Sequence, residues 1–106
     1  SHLTQSFNTL VECPDFLTED DIHLWDNALA PGYGQLGPIA KKAVQLMAHN
    51  EGHILDPVYT AKSFATIPEM LKDKSIAKGS RVLFVHTGGA AGLFAYQSDM
   101  QKILAD

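Results

Sequence analysis

The sequence predicts an α/β fold in which helices pack on a parallel strand, with the sheet incomplete within this chain. Three observations lead there. Arg81-Val82-Leu83-Phe84-Val85-His86 carries an unbroken apolar run that ends in Thr87-Gly88-Gly89, the pattern of a strand covered on both faces. A second apolar pattern follows at helical spacing, in Leu93, Tyr96, Met100, Ile103 and Leu104, so this part of the chain reads strand, tight turn, helix. Third, the remaining segments offer at best one or two short strand candidates, whereas a buried parallel strand needs neighbours on both sides.

The 106 residues suit one small domain. A net charge of −4, with eight Lys and Arg scattered along the chain, leaves no basic footprint, so nucleic acid is not a predicted partner. No apolar run approaches membrane-spanning length, so a membrane is not one either. The single cysteine, Cys13, builds no disulfide framework within the chain and fits a reducing compartment, which predicts a cytoplasmic location.

Residues 1–21 read as an irregular lead-in or linker with room for a short helix, and residues 22–106 as the main unit. Cys13-Pro14-Asp15 is a turn. Thr18 and Asp21 have the spacing of a capping box, after which Ile22, Trp25 and Leu29 would share a helical face. A short strand over 22–25 is the competing reading, and local signals favour the helix. Residues 30–38, with three glycines and two prolines, form a loop that presents Tyr33 between Gly32 and Gly34. Taken alone, Tyr33 reads as a turn tyrosine packed over the next helix.

Pro38 suits a first helical position and Gly52 a stop. Between them Ile39, Ala43, Leu46 and Met47 line one face, with Lys41, Lys42, Gln45 and His49 on the other. His49 and His53 have ligand-like spacing but straddle the helix end without a carboxylate or cysteine cluster. They read as solvated histidines, and no metal site is predicted. Pro57 pushes Asp56 out of the helical region, so 54–58 is extended. A helix starts near Thr60, which is suited to cap it, and continues through Phe64, Ile67 and Leu71. Pro68 is expected to kink or restart this helix. Residues 73–80 are a polar connection into the strand. In open parallel sheets ligands bind beyond the carboxyl ends of strands, where Thr87, Gly88 and Gly89 fall. Read by themselves these glycines only permit a bend, because they match neither the dinucleotide nor the phosphate-loop spacing.

Three motifs stand in order: PGYG at 31–34, EGHILDPVYTAKS at 51–63 and SRVLFVHTGGAAGLFAY at 80–96. Together they resemble the C-terminal third of pyridoxal-phosphate enzymes of the tryptophan synthase β-like fold (fold type II), within the D-cysteine desulfhydrase / 1-aminocyclopropane-1-carboxylate deaminase family. The resemblance implies pyridoxal 5'-phosphate as cofactor, held as a Schiff base by a lysine, with its ring as electron sink. It implies Tyr33 and Tyr59 as catalytic residues and Thr60, Thr87, Gly88 and Gly89 as cofactor-binding residues. Thr87 would stand by the pyridine nitrogen, where a neutral hydroxyl hydrogen-bonds without forcing protonation. In the deaminase-type pattern a Glu takes the position of Thr60 and a Leu that of Thr87. Threonine at both sides with the desulfhydrase pattern, a β-elimination giving pyruvate, ammonia and hydrogen sulfide. Deaminase-like activity and a non-catalytic binding module are the alternatives.

The Schiff-base lysine and the phosphate-binding loop of such enzymes lie in earlier parts of the chain, and neither motif occurs here. Lys62 belongs to the family pattern but is not the Schiff-base lysine. His86 is shared with the family, yet reads as a packed side chain, and Asp56 as the residue that fixes the turn before Tyr59. Pro68 falls where the family has an uninterrupted helix. These residues are therefore expected to be a C-terminal portion, inactive alone. The expected partners are the missing N-terminal portion, a small amino-acid substrate and, when complete, a second copy in a homodimer.

Overall fold

The computed structural model describes residues 2–105. Ser1 and Asp106, the outer ends of the two expected units, lie outside the described residues. The elements are α1 (His2–Leu10), a 3-10 turn (Glu19–Asp21), α2 (Pro38–Glu51), α3 (Thr60–Lys72), a 3-10 helix (Ala90–Tyr96) and α4 (Gln97–Ala105).

Helix α2 forms where local signals agree. Pro38 occupies its first turn and Gly52 closes it in the left-handed region, donating its N–H to Ala48. Its buried arc is centred on Ala40, Ala43 and Val44, and Leu46, read as part of that face, is 45% exposed. Ala40 packs with Ala61 of α3 in one cluster, and Ala43 packs with Ala65 in another. Small side chains on both helices let their backbones approach closely. Val44 and Leu55 are fully buried, each contributing about 1.5–3 kcal/mol of hydrophobic stabilisation. Met100 and Ile103 of α4 complete this core, and Gln45 ties α2 to α4 by donating to the Ile103 carbonyl at 2.9 Å.

Helix α3 runs through Pro68 to Lys72 without the predicted restart. Proline removes one N–H, and the rest of the helix is held by its packed face, in which Ala61, Lys62 and Ala65 are buried.

Other expectations differ from what forms. The lead-in is largely the helix α1, closed by Asn8, which donates to the carbonyls of Pro14 and Leu17. The capping box at Thr18 exists but caps only a 3-10 turn, and the helix expected over Ile22, Trp25 and Leu29 does not follow. Its apolar face finds too little to pack on: Trp25 packs against the Ala28, Ala43 and Ala65 cluster, but Ile22 is 38% and Leu29 60% exposed.

The expected parallel strand is not formed either. Among the described residues there is no strand, and 81–89 makes no ladder with another segment. Strand formation requires a neighbour, and no second apolar extended run lies alongside. Phe84 alone turns inward, edge-on to Phe64 at 5.3 Å, while Leu83 is 89% and Val85 66% exposed. Among the described residues no helix is long and apolar enough to cross a membrane.

Candidate functional site

The site is built on the turn at Asp56. Proline at 57 keeps Asp56 extended, which lets its own carboxylate fold back over the start of α3. Oδ1 accepts the N–H groups of Val58 and Tyr59, each at 2.9 Å. Oδ2 accepts the Thr60 N–H at 2.9 Å and the Thr60 hydroxyl at 2.5 Å. The Thr60 hydroxyl in turn accepts the Asp56 N–H at 2.9 Å. Asp56 thus does the capping expected of Thr60, and meets donors that a helix N-terminus leaves unsatisfied. Asp56 as a whole is 2% exposed. Burial opposes its ionisation, but the hydroxyl of Thr60 and the three N–H groups prevail and hold it below the ordinary carboxylate value.

This turn sets the position of Tyr59, whose ring is exposed. Its hydroxyl lies 2.7 Å from that of Tyr33, with the rings 6.0 Å apart and near edge-on. The Tyr33 hydroxyl raises the Tyr59 phenol above its ordinary value by hydrogen bond and by charge, with smaller contributions from burial and from Asp56. Tyr33 stands exposed rather than packed over α2. Its loop is tethered on both sides. Lys62 Nζ donates to the Gly32 carbonyl at 2.5 Å, and the Tyr96 hydroxyl donates to the Gly34 carbonyl at 2.8 Å. The Ala30-Pro31 peptide bond in this loop is cis.

The Thr87-Gly88-Gly89 turn meets the same carboxylate. A Cβ on Gly89 would lie 2.6 Å from Cγ and Oδ2 of Asp56, and the residue has a φ of +91°, so both space and backbone call for glycine. The Gly88 N–H donates to His86 Nδ1 at 3.2 Å, giving His86 a local role in shaping this turn.

The predicted site residues therefore divide into three groups. Tyr33 and Tyr59 are paired through their hydroxyls. Thr60 and Gly89 are both seated on Asp56, Thr60 buried with its hydroxyl committed there. Thr87 is exposed and, among the described residues, its side chain makes no hydrogen bond, to either tyrosine or elsewhere. A Cβ on Gly88 would meet nothing within 4 Å. The outer side of the 87–89 turn is thus open, with a hydroxyl free to meet a ring nitrogen and a glycine that does not obstruct approach. That donor set fits the edge of a pyridoxal ring. Among the described residues no cluster of three or more His, Cys, Asp or Glu side chains could hold a metal.

Sequence reading missed the tethers made by Lys62 and Tyr96. One signal for Lys62 was available, since it lies three residues before Ala65 on the buried arc of α3. Beside Tyr59 a groove of about 340 Å³ is lined by Trp25, Leu29, Tyr59, Lys62, Ser63 and Thr66.

No family model matches the chain. The chain is 49% identical over 76 residues to proteins named D-cysteine desulfhydrase from Salmonella typhi and from Salmonella newport (strain SL254), a match covering 72% of this chain. It lies in the C-terminal part of those proteins and spans 23% of their length.

Proposed function

We propose, proceeding from its homology to the C-terminal part of the D-cysteine desulfhydrases, that this chain is the C-terminal portion of a pyridoxal-phosphate-dependent lyase releasing sulfide from D-cysteine. The observation that carries the reading is the convergence on Asp56. One buried carboxylate seats the Thr87-Gly88-Gly89 turn and the helix start bearing Tyr59, whose hydroxyl meets that of Tyr33.

When bound, pyridoxal phosphate supplies the electron sink for loss of the α-proton and of the β-substituent. The chain's own residues divide the remaining work. Thr87 offers its hydroxyl to the pyridine nitrogen, a neutral partner that leaves the ring a milder sink and suits elimination. Gly88 leaves the approach clear, and Gly89 keeps the turn against Asp56. The Tyr59 phenol, held above its ordinary value, stays protonated at neutral pH, so the pair can hold or deliver a proton at a hydroxyl oxygen. Thr60 acts from beneath by tying Asp56 to α3. Threonine at 60 and 87 favours desulfhydration over deamination of 1-aminocyclopropane-1-carboxylate.

In this reading the α/β fold is completed outside these residues. The 82–85 segment, with Leu83 and Val85 exposed, pairs with strands of the N-terminal portion, which also brings the Schiff-base lysine and the phosphate-binding loop. The complete enzyme is proposed to be a homodimer. Cys13, free and exposed, accords with a reducing compartment such as the cytoplasm. The test is to co-express the chain with the N-terminal portion of a D-cysteine desulfhydrase and measure cofactor absorbance, sulfide and pyruvate. Turnover of D-cysteine is expected. A reconstituted protein with neither bound cofactor nor turnover would overturn the proposal in favour of a non-catalytic module.

A further inference from the structure

Lysines ordinarily keep their ammonium in water while the stem packs on apolar surface, yet Lys62 is only 6% exposed. Among the described residues no carboxylate pairs with it. Its Nζ donates instead to two backbone carbonyls, Gly32 at 2.5 Å and Leu29 at 3.4 Å. Removing an ammonium from water without a counter-charge is unfavourable, and a methionine of similar length would fill the space without that penalty. The ammonium is explained by what its two acceptors hold.

Both acceptors belong to the 29–34 segment, where Gly32 and Gly34 have φ of +156° and +66°. Such a backbone has little conformational preference of its own. Tyr33 directly follows Gly32, and Tyr59 lies one turn before Lys62 at the start of α3. A closed circuit results: from the Gly32 carbonyl to Lys62, along α3 to Tyr59, across 2.7 Å to the Tyr33 hydroxyl, and back to Gly32. Tyr96 secures the other flank of Tyr33 through Gly34.

We infer that Lys62 is a positioning residue whose ammonium clamps the 29–34 loop against α3, so that the Tyr33 and Tyr59 hydroxyls meet as one hydrogen-bonded pair. Its importance for chemistry rests on the proposed lyase reading, in which that pair handles a proton, but the clamp itself stands on the contacts above. The titratable groups facing Tyr59 are Tyr33 across the gap and Asp56 on its own turn.

The test is a tyrosinate absorbance titration of this chain, with thermal unfolding followed in parallel. In Lys62→Met the late phenol step should move down to the ordinary position while the protein still unfolds cooperatively. Lys62→Arg, which keeps a cationic donor, should retain the late step. In a Tyr33→Phe background Lys62→Met should leave the Tyr59 step where that background puts it, because the clamp acts through Tyr33. A folded Lys62→Met that keeps its late step would overturn the inference. So would an equal displacement by Lys62→Met in the Tyr33→Phe background, or unfolding of both the Met and the Arg variants, which would assign Lys62 to general stability. The titration needs neither cofactor nor substrate, so its failure is separate from failure of the lyase reading.

Discussion

Replacing Asp56 with asparagine isolates the charge and acceptor capacity of one buried side chain while keeping its shape. Oδ1 accepts two N–H groups, and Oδ2 accepts one N–H and one hydroxyl. An amide has one acceptor oxygen, so either orientation turns an NH₂ toward donors. With the amide nitrogen at the Oδ1 side, the N–H groups of Val58 and Tyr59 lose their acceptor. With it at the Oδ2 side, the Thr60 N–H loses its acceptor, while the Thr60 hydroxyl can turn to the Asp56 carbonyl 3.4 Å away. A buried donor left unmet costs about 1–3 kcal/mol, and charge-assisted bonds exceed neutral ones by about 1 kcal/mol. Together these give a loss of about 2–4 kcal/mol, a large share of the roughly 5–15 kcal/mol available to a domain.

Urea unfolding at neutral pH should show this loss as a lower midpoint with an unchanged slope. The pH dependence follows with a definite sign. The folded carboxyl titrates below its unfolded value of about 3.9, so its contribution is full above that value. It disappears as pH falls through the lower folded value. Asp56→Asn should therefore lack part of the acid-side decline of the native chain. A variant losing less than about 1 kcal/mol, or one keeping the whole acid-side decline, would refute Asp56 as the keystone of this turn.

Gly89→Ala should destabilise by about 2 kcal/mol or more, since it combines a left-handed backbone with a Cβ 2.6 Å from a buried carboxylate; an unchanged melting temperature would show that the 87–89 turn is not seated on Asp56. Tyr33→Phe should bring the Tyr59 phenol down toward its ordinary value and reduce the tyrosinate absorbance from three side chains to two; spectrophotometric titration reads both. Thr87→Val, at an exposed position, should leave the unfolding midpoint within about 0.5 kcal/mol. In the reconstituted enzyme it should weaken turnover of D-cysteine, and a variant of full activity would remove Thr87 from the pyridine nitrogen.

What could be read in advance was local. Proline at 38 and glycine at 52 bracket α2 because both act through their own backbone torsions, and Pro57 does the same for the Asp56 turn. The helix expected after Thr18 fails because a capping box satisfies end groups but supplies no packing surface, and Ile22 and Leu29 of its expected face stay exposed. Residues 82–85 carry every local mark of a strand, yet pairing is a property of two segments, and among the described residues none lies beside them in a ladder. At the site, the turn around Asp56 was legible from Asp-Pro and Thr60. The resemblance singled out Tyr33 and Tyr59 as site residues, but not their hydroxyl contact, since nothing in the spacing brings side chains 26 positions apart together. Lys62 was hidden for a different reason. A lysine on an amphipathic helix is read as solvated, and only its neighbours Ala61 and Ala65 argue otherwise.

The 82–85 segment also has a practical consequence. Unmatched amide and carbonyl groups beside outward Leu83 and Val85 form the kind of edge on which further chains can add, strand by strand, into aggregates. Prepared alone at high concentration, these residues should scatter light increasingly with time. Leu83→Lys should suppress that growth, and in the proposed complete enzyme should equally hinder docking of a neighbouring strand.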